Sequence, residues 1–579
     1  MDRRFATSTA DIDGYVPFSD DRIRRYLDAG YWRNLTFHDV VDRVADETPD
    51  WPAVTGPERT LSYGDLAERS RQIAAGLRAL GLGPDGLVTI QLPNCVEFVE
   101  AFIACSRVGA APALVLPRHR ERELRHILEL TDSRAVVTDA GRYDLGFDYA
   151  GLVDEVAGDY DHLRHRIGVT ADGSAPPSGW QDLSALRADG AAAVDETDAD
   201  GSVVDAGGTD PADVEINPCN PGLLMLSGGT SGLPKAIPRT HNDYLYLWEH
   251  IAAAMGVEKE WSLVAGLPVP HSFAFGYVMG PALWTGAEMV VEPTLKPGPL
   301  VETIDRVDGD LTTLIPKQLI DFLDADADGR LSTLEVVCSG GQKVPPEITR
   351  QVVGRWGAGF CHVFGMGEGA QIITRPDDPV DVQAETVGRP VGPGDEARIV
   401  DDGADLPTGE LGELAVRGPG VFTGYLRNPG ANAEDFDADG WFYTGDVLAQ
   451  REDGNYEVYG RLDDTINRAG ETIYAAAVED ALVEHPKVAK AAVVDVPDPE
   501  LGERVGAAVE LTAGAEDLTV EEVQAFFKQE GHAVYRRPER LEVLDSLPET
   551  QVGKIDRGAT ESVFTADRTE GREEPDRGP

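Results

Sequence analysis

The sequence predicts an α/β protein whose large N-terminal part contains two βαβ-type subdomains and a β-rich subdomain, followed by a small α+β C-terminal domain. Apolar strands alternate with helices from about residue 60 onward, which is the pattern of βαβ units around a parallel sheet. From Val387 onward, short strands and Gly/Pro turns replace this alternation. Because a chain of 579 residues exceeds the usual size of one hydrophobic core, we expect an N-terminal domain of residues 1–462 and a C-terminal domain of residues 463–561.

The first βαβ unit can be placed element by element. Ser62 can cap a helix, because its hydroxyl accepts a hydrogen bond from an N–H group of the first helical turn. The apolar patterns then predict a strand over Leu87–Leu92, a helix over Val96–Val108 and a strand over Pro112–Leu116. A strand, a helix and a strand at this spacing indicate parallel pairing.

Two segments have the composition of exposed chain. Residues 168–217 are dominated by Ser, Gly, Pro, Ala and Asp and contain few large apolar side chains, so we expect an exposed insertion that is disordered in part. Order is expected to return at Gly222. Residues 562–579 are polar and charged, and we expect a disordered tail there.

The chain is strongly acidic, with 102 acidic and 51 basic residues and a net charge of −51. Such a surface repels nucleic acid and anionic lipid, so neither is an expected partner. Because salt screens repulsion between surface charges, we interpret the excess as adaptation to high salt; the alternative is an acidic protein of ordinary conditions. We find no apolar segment typical of a signal peptide or a membrane span, which predicts a cytoplasmic protein. The five cysteines lack CxxC spacing and fit a reducing compartment.

A glycine-rich segment, Leu226–Lys235, has the composition of a phosphate-binding loop. It follows Gly222–Leu226, a short apolar run that predicts a buried strand. Glycines let backbone N–H groups approach an anion, consecutive N–H groups form an anion-binding nest, and hydroxyls and a lysine add donors. It is not a Walker loop, which requires Ser or Thr after Gly-Lys; the alternative is a flexible Gly/Ser surface loop. The candidate phosphate-binding residues are Ser227, Gly228, Gly229, Thr230, Ser231, Gly232 and Lys235.

The same segment resembles the phosphate loop of the adenylate-forming superfamily, which includes acyl- and aryl-CoA synthetases, adenylation domains and luciferases. The residues that follow it, Ile237–Tyr244, are similar to those of the stand-alone aryl acid–AMP ligases of siderophore assembly, such as 2,3-dihydroxybenzoate–AMP ligase. The likeness extends from about Tyr15 to Arg557. It implies ATP-dependent activation of an aryl acid, 2,3-dihydroxybenzoate or a related benzoate, to aryl-AMP with release of pyrophosphate. Transfer to a thiol would follow, and ATP and Mg2+ would be required.

The resemblance also implies which residues bind nucleotide and metal. Gly341 and Phe364 lie at the ends of two short strands and would sandwich adenine. Glu368 is the one acid of a Gly-rich turn and would hold Mg2+ against the phosphates, since Mg2+ prefers oxygen ligands that include a carboxylate. Asp446 would accept hydrogen bonds from the ribose hydroxyls, and Arg461 would contact ribose or phosphate. Each match alone would also fit an ordinary turn or a solvated surface group.

By the same resemblance, the C-terminal domain is mobile and supplies a hinge, a thiol tunnel and a lysine. Asp463 matches the pivot about which this domain rotates, and Gly470 would line the tunnel for the acceptor thiol. Lys554, in the motif Leu547–Asp556, would reach the substrate carboxylate and the α-phosphate. Because attack of a carboxylate on phosphate brings two anions together, a cation at that point stabilises the developing charge. No activated protein nucleophile is needed, since the substrate supplies it.

The acyl pocket is predicted around His271, which matches the residue that gates the pocket in the family. Ser272 stands where relatives that activate amino acids carry an Asp, and a serine cannot form that ion pair, so a free amino acid is not expected. Dihydroxybenzoate ligases have Asn at this place and a Ser near the position of Tyr277, so the hydroxyl pattern of the aryl acid stays open. The candidate substrate-binding residues are His271, Ser272, Tyr277 and Gly341. The candidate catalytic residues are His271, Glu368 and Lys554.

The acyl acceptor is expected in trans, because the sequence after Arg557 has no carrier-protein serine motif. It would be the phosphopantetheine of a carrier protein or CoA, and an acyl- or benzoate-type CoA ligase is the alternative with the same first half-reaction. A catalytically idle homologue is a further alternative, and five retained candidates argue against it. They are Lys235, Glu368, Asp446, Arg461 and Lys554. Relatives of this branch are often dimers, so the resemblance allows a homodimer.

Overall fold

The structure is a computed structural model that describes most of the chain. The described residues are 5–143, 145–171, 174–195, 215–227, 233–326, 329–469, 471–499, 501–515, 517–548 and 555–566. The predicted site residues outside these ranges are Gly228, Gly229, Thr230, Ser231, Gly232, Gly470 and Lys554. Residues 196–214 of the predicted insertion and residues 567–579 of the predicted tail also lie outside them.

The chain divides into two compact units. The first comprises Met1–Ala397 and Val416–Phe442, and the second comprises Arg398–Ala415 and Tyr443–Pro579. This grouping differs from the predicted boundary after residue 462, because part of the β-rich segment groups with the C-terminal residues. The last strand of the β-rich segment, Tyr456–Arg461, packs against Ala475–Val483, a helix of the C-terminal α+β part.

A seven-stranded sheet in the first unit contains the strand that precedes the glycine-rich segment. Its strands, in spatial order, are Gln181–Asp182, His165–Val169, Ala135–Asp139, Leu87–Gln91, Ala111–Leu114, Pro221–Leu226 and Ala236–Thr240. Neighbours in this order are parallel except the last pair, which is antiparallel. The central strands are fully buried, as expected for apolar strands of a parallel sheet. The predicted βαβ pairing is therefore confirmed.

A nine-stranded sheet in the same unit supplies a second edge for a site. Its strands, in spatial order, are Arg389–Pro390, Gln371–Ile373, Gly359–Gly365, Val336–Gly340, Leu311–Leu314, Ser262–Val264, Glu288–Val290, Pro52–Thr55 and Thr60–Ser62. The six strands from Gly359–Gly365 to Pro52–Thr55 are parallel, so their carboxyl ends share one edge. In α/β proteins, the carboxyl edge of such a sheet commonly carries the residues that bind ligands.

Helices cover these sheets. The helices of the first unit are Asp20–Asp28, Phe37–Glu47, Tyr63–Ala79, Val96–Val108, Glu121–Thr131, Tyr149–Ala157, Leu183–Asp195, His241–Met255, Ser272–Ala274, Gly280–Thr285, Pro297–Val307, Pro316–Ala325, Pro346–Trp356, Val380–Glu385 and Pro429–Asp435. A π-helical turn, Phe275–Met279, joins two of them. Among the described residues, no helix has the length and apolar character needed to cross a membrane.

Local signals place the predicted helices of the first βαβ unit. Ser62 and Asp65 form a capping box at the start of Tyr63–Ala79, in which each side chain bonds the backbone N–H of the other residue. Helix Val96–Val108 has the predicted bounds and ends at Gly109, whose φ of 78° is the left-handed conformation that commonly follows a helix.

The second unit contains a β-rich part and an α+β part. The strands of the β-rich sheet are Ala404–Asp405, Glu396–Asp401, Gly412–Arg417, Phe442–Gln450 and Tyr456–Arg461. A few end residues of these strands are grouped with the first unit. The strands of the α+β part are Glu471–Tyr474, Thr465–Arg468, Gly502–Leu511, Val488–Asp498 and Arg540–Val543. Its helices and 3-10 turns are Leu462–Asp464, Ala475–Val483, Val520–Gln529, Val534–Arg536 and Arg557–Ala566. The predicted succession of a β-rich segment and an α+β unit is confirmed, although the last helix extends into the predicted tail.

The described part of residues 168–217 differs from the predicted exposed insertion. It contains the helix Leu183–Asp195, and the side chains of Trp180 and Leu186 are buried. This helix packs closely on its neighbour, because a Cβ added at Gly76 would lie 2.6 Å from the Leu186 carbonyl oxygen. The small Ala and Gly residues of this helix allow the close packing. On composition alone, the same residues indicate exposed chain.

Candidate active site

The glycine-rich segment joins two antiparallel strands. Beyond the paired strands, the Ser227 N–H donates to the Lys235 carbonyl (2.9 Å) and the Lys235 N–H donates to Ser227 Oγ (2.9 Å). The two ends of the segment are therefore held side by side, and residues 228–232 lie outside the described residues. Because Pro221–Leu226 runs parallel to Ala111–Leu114, Ser227 lies at the carboxyl edge of the sheet, where α/β proteins bind ligands.

Tyr425 brings Lys235 and Glu368 together. Lys235 Nζ lies 4.3 Å from the centroid of the Tyr425 ring and 3.5 Å from Asp435 Oδ2. The Tyr425 hydroxyl donates to Glu368 Oε1 at 2.9 Å. Because an ammonium group is attracted to an aromatic face, one tyrosine orders both the cation and the carboxylate. Sequence reasoning missed this tyrosine, since it lies 57 residues from Glu368 and belongs to no recognised motif.

Glu368 is a buried carboxylate, 8% exposed. Burial raises the pKa of Glu368, while the hydrogen bond from Tyr425 and the charges of Lys235 and Arg239 oppose the rise. Among the described residues, no group of three or more His, Cys, Asp and Glu side chains could hold a metal by itself. One carboxylate suits Mg2+, which commonly takes its other ligands from phosphate and water. The donor set therefore fits an ion that binds together with a nucleotide.

Arg239 anchors the backbone around Glu368, and sequence reasoning missed it as well. Its side chain is fully buried, and Nε lies 2.9 Å from Asp243 Oδ1. Its terminal nitrogens donate to the carbonyl oxygens of Gly367 (2.5 Å) and Gly420 (2.6 Å). These bonds join segments up to 181 residues apart, so one arginine fixes the turn that carries Glu368.

Gly341 and Phe364 meet at the carboxyl edge of the nine-stranded sheet. The residues before them, Gly340 and Val363, are paired across neighbouring parallel strands. Gly341 is exposed, with a φ of 78° and no atom within 4 Å of where a Cβ would stand. Phe364 is half-buried. The open space over the glycine suits a planar base, and the adenine contact of both residues stays a prediction.

His271 and Ser272 lie at the start of a short helix. The buried Asn94 side chain accepts a hydrogen bond from the Val269 N–H (2.7 Å) and so holds the segment before them. His271 Nδ1 accepts from the Phe273 N–H at 3.2 Å. In the neutral ring, therefore, Nε2 carries the proton. Both His271 and Ser272 are half-buried, which leaves part of each side chain accessible.

Tyr277 lies in the π-helical turn and is 2% exposed. Its hydroxyl donates to Gln371 Oε1 (2.7 Å), and Gln371 Nε2 donates to the Met366 carbonyl (2.9 Å). Because a carbonyl oxygen can only accept, Nε2 must face Met366, so the amide orientation is fixed and Tyr277 must donate. A Cβ added at Gly365 would lie 2.2 Å from Gln371 Oε1, so glycine there makes room for the pair. Sequence reasoning missed Gln371.

The second unit brings Asp446 and Arg461 together. They are opposite each other on antiparallel strands, and Arg461 Nη1 lies 3.4 Å from Asp446 Oδ1. A Cβ added at Gly445, whose φ is 69°, would lie 2.9 Å from Arg461 Nη2, so glycine leaves room for the guanidinium. Asp463 is exposed in the 3-10 turn Leu462–Asp464.

The sequence matches the family described as AMP-binding enzyme over residues 41–426. It also matches the AMP-binding enzyme C-terminal domain over residues 477–554. Together these matches cover both the glycine-rich segment and most of the C-terminal α+β part.

Similar proteins extend over nearly the whole chain. A salicyl-AMP ligase / salicyl-S-ArCP synthetase from Mycobacterium tuberculosis is 37% identical over 571 residues, covering 96% of each chain. A 2-hydroxy-7-methoxy-5-methyl-1-naphthoate–CoA ligase from Streptomyces carzinostaticus is also 37% identical, covering 94% of this chain and 96% of that one. The apo structure of MbtA from Mycobacterium smegmatis is 34% identical and has a TM-score of 0.69, covering 95% of this chain and 98% of that one.

Proposed function

The chain belongs to the AMP-binding enzyme family, and from this membership we propose that it activates an aryl carboxylic acid with ATP. The carboxylate would attack the α-phosphate, which gives aryl-AMP and pyrophosphate, and the aryl group would then pass to a thiol. The proposed acid is 2,3-dihydroxybenzoate or a related benzoate. The names of the two relatives refer to salicylate and to a substituted naphthoate, which supports an aryl acid. Siderophore assembly is the proposed use of the product, by resemblance to the ligases of that pathway.

The observation that carries the proposal is the contact of Lys235 and Glu368 with Tyr425 beside the glycine-rich segment. A cation beside the predicted anion-binding nest would attract a polyphosphate. A buried carboxylate repels it unless a divalent cation lies between them. Lys235 and Glu368, which both contact Tyr425, therefore suit a nucleotide that binds together with Mg2+. ATP and Mg2+ are accordingly the proposed substrate and metal, with Glu368 as the metal ligand.

Asp446 and Arg461 are the other proposed nucleotide contacts. Asp446 would accept hydrogen bonds from the ribose hydroxyls. Its 3.4 Å contact with Arg461 is longer than an ordinary charge-assisted hydrogen bond, so the pair can reorganise when ribose or phosphate binds. Lys554 would stabilise the charge that develops when the two anions meet. Asp463 would be the pivot between the two half-reactions.

The acyl pocket supports an aryl acid without an ammonium group. Ser272 provides a hydroxyl and no carboxylate, so it offers no ion pair to an amino acid. The Tyr277 hydroxyl already donates to Gln371, so this position does not depend on a substrate hydroxyl to complete its hydrogen bonding. His271 would gate the pocket. We therefore propose a pocket that selects the ring and the carboxylate more strongly than the ring hydroxyls.

Two acceptors are candidates. The name of one relative refers to a carrier protein and the name of the other refers to CoA, at the same identity of 37%. A phosphopantetheinyl carrier is our first candidate, and an acyl- or benzoate-type CoA ligase is the second. In either case Gly470 would line the thiol tunnel. A homodimer and a cytoplasmic, high-salt environment are further proposals that rest on the resemblance and on the charge.

Pyrophosphate exchange driven by aryl acids tests the proposal. We expect exchange to require ATP, Mg2+ and an aryl acid. Glu368→Gln should lower it by about a hundredfold, because loss of a metal ligand removes several kcal/mol of charge stabilisation. The exposed Glu347→Gln on the helix Pro346–Trp356 is the matched control and should leave the rate unchanged. No exchange with any aryl acid would contradict the proposed function.

A thioester assay with CoA alone then separates the acceptors. Thioester formation with free CoA at a rate comparable to adenylation supports the CoA ligase. Formation only with a phosphopantetheinylated carrier protein supports the carrier-dependent enzyme.

A further inference from the structure

Arg557 lies at the centre of an ion-pair cluster within the second unit. Its Nε is 3.0 Å from Asp464 Oδ2. Its Nη1 and Nη2 are 2.7 and 3.2 Å from the two carboxylate oxygens of Glu479. Nη1 also donates to the Val493 carbonyl. One guanidinium therefore contacts three separate parts of this unit.

These partners connect the predicted hinge to the body of the second unit. Asp464 ends the 3-10 turn that contains the predicted pivot Asp463. Glu479 lies on the helix Ala475–Val483, and its Oε1 also accepts from the Val493 N–H at 2.8 Å. The arginine thus ties the hinge turn to a helix and a strand of the α+β part.

The residues on both sides of the Lys554 segment are fixed to the same unit. The Asp556 N–H donates to the Pro548 carbonyl at 2.9 Å, which closes the segment at its two ends. Leu547 and Ile555 pack in one small apolar cluster. Residues 549–554 lie outside the described residues, but both of their attachments are described. Arg557 follows directly after these attachments and begins the helix Arg557–Ala566.

The chemistry of the cluster favours an arginine. Burial lowers the pKa of Arg557, but Glu479 and Asp464 outweigh this effect and raise it, so the group stays charged. A planar guanidinium can donate hydrogen bonds to two carboxylates in one fixed geometry, whereas a lysine ammonium is a single point charge. Because the Glu479 and Asp464 side chains are 15% and 30% exposed, removal of the arginine would leave one largely shielded and one partly exposed carboxylate without their shared cation.

We propose that Arg557 is a positioning residue that joins the hinge turn and the flanks of the Lys554 segment into one rigid body. Lys554 would then move together with the hinge turn. The proposal rests on the proposed function for the role of Lys554. A displacement of about 1 Å at a catalytic group can reduce the rate by about a hundredfold, so loss of the arginine should affect chemistry more than substrate binding.

Hydrogen–deuterium exchange of the full chain tests the mechanical part without reference to activity. We expect Arg557→Ala to increase amide exchange both at 462–466 and at 555–560. Arg504→Ala is the matched control, because it also removes an arginine paired with two acids, Asp498 and Glu539, in the same unit. It should leave exchange at both sites unchanged. Increased exchange confined to the helix Arg557–Ala566, with an unchanged hinge turn, would overturn the proposal.

Kinetics test the positioning part. We expect Arg557→Ala to lower kcat for adenylation by about 10- to 100-fold, with the KM for ATP changed by less than about threefold, because a transition-state contact is lost. Arg557→Lys should recover only part of kcat, since it keeps the charge and loses the fork. Adenylation by Arg557→Ala within twofold of Arg504→Ala would overturn the proposal.

Two further results separate failure of this proposal from misfolding of the variant and from failure of the proposed function. If Arg557→Ala does not fold, Asp464→Asn tests the same link, because it removes only the hinge carboxylate. It should increase exchange at 462–466 and lower kcat in the same direction, and a wild-type response would overturn the proposal. If the wild-type protein adenylates no aryl acid, the proposed function fails, while the exchange experiment still decides whether Arg557 joins the two segments.

Discussion

At the scale of single residues, charged groups in the candidate site take their partners from distant parts of the chain. Glu368 is ordered by Tyr425, and Arg239 holds the turn before it. Such groups can be tested one at a time, because each has a proposed role and a partner at a known distance.

Lys554→Ala should lower aryl acid adenylation by about 10²–10³-fold, the effect of losing one charge contact in the transition state. Thioester formation from supplied aryl-AMP should survive, since Lys554 would have rotated away with the C-terminal domain. Pyrophosphate exchange and single-turnover transfer measure the two half-reactions separately. Lys528→Ala, an exposed lysine in the last turn of a helix in the same unit, is the control. Equal loss in both half-reactions would reject the assigned role.

Asp395 should make the stability of the first unit depend on pH. Burial raises the pKa of Asp395 to about 7 from its ordinary value of 3.8, although Gly392 N–H donates to its Oδ2 at 3.1 Å. The folded state therefore binds a proton that the unfolded state releases. This contribution to stability is fully present below about pH 4 and is lost as pH rises through about 7.

The variant Asp395→Asn should remove that dependence. Between pH 5 and 7, its free energy of unfolding should rise relative to the wild type by up to about 1.4 kcal/mol per pH unit. The difference should level off above about pH 8. Chemical denaturation in constant molar salt measures it, with the exposed Asp377→Asn as the control for loss of one charge. Parallel curves for Asp395→Asn and the wild type would contradict the assignment.

At the scale of elements, the predicted acyl pocket would depend on the π-helical turn that carries Tyr277. Such turns often occur at functional sites, because the extra residue redirects a side chain. Here the turn buries Tyr277 and pairs its hydroxyl with Gln371. A site that must pair with a substrate hydroxyl discriminates strongly against acids that lack it, whereas a self-paired site does not.

We therefore expect 2,3-dihydroxybenzoate, salicylate and benzoate to be adenylated with kcat/KM values within roughly a hundredfold of one another. Tyr277→Phe should lower all three values by a similar factor, since its hydroxyl pairs with the protein. Tyr459→Phe, which removes a hydroxyl that donates to Glu457 at 2.7 Å in the second unit, is the matched control. Pyrophosphate exchange with the three acids measures the pattern. A preference for 2,3-dihydroxybenzoate above about 10⁴-fold would show that residues other than Tyr277 bind the ring hydroxyls of the substrate.

Elements with strong local signals were predicted well, and elements without them were not. The helix Val96–Val108 and the strand before the glycine-rich segment follow from apolar runs within the segments themselves. The helix Leu183–Asp195 was missed because its small residues gain their burial from a neighbouring helix. The predicted insertion was therefore wrong over its described helix.

At the scale of the whole molecule, charge dominates the expected behaviour. Even complete pairing of the 51 basic residues would leave as many acidic residues without a basic partner. At low ionic strength their repulsion opposes the folded state. At molar salt the Debye length is about 3 Å, so this repulsion is screened.

Stability and activity should therefore rise from low to molar KCl. The melting temperature measured across that range, at constant pH, checks the expectation. Sucrose provides the control, because a neutral osmolyte strengthens burial without screening charge. A melting temperature that is flat or falls with KCl, or that rises equally with sucrose, would contradict adaptation to salt.

The sequence by itself determined the class of fold, the order of most elements and membership of the AMP-binding family. These depend on patterns of neighbouring residues, such as the glycine-rich segment and the apolar runs around it. Only the tertiary structure identified Tyr425, Arg239, Gln371 and Arg557. Each of them has a partner that lies between 57 and 181 residues away, and a lone polar residue has no periodicity that would indicate such a contact. Such contacts are decided when packed elements bring distant side chains within hydrogen-bonding distance, which happens only in the folded chain.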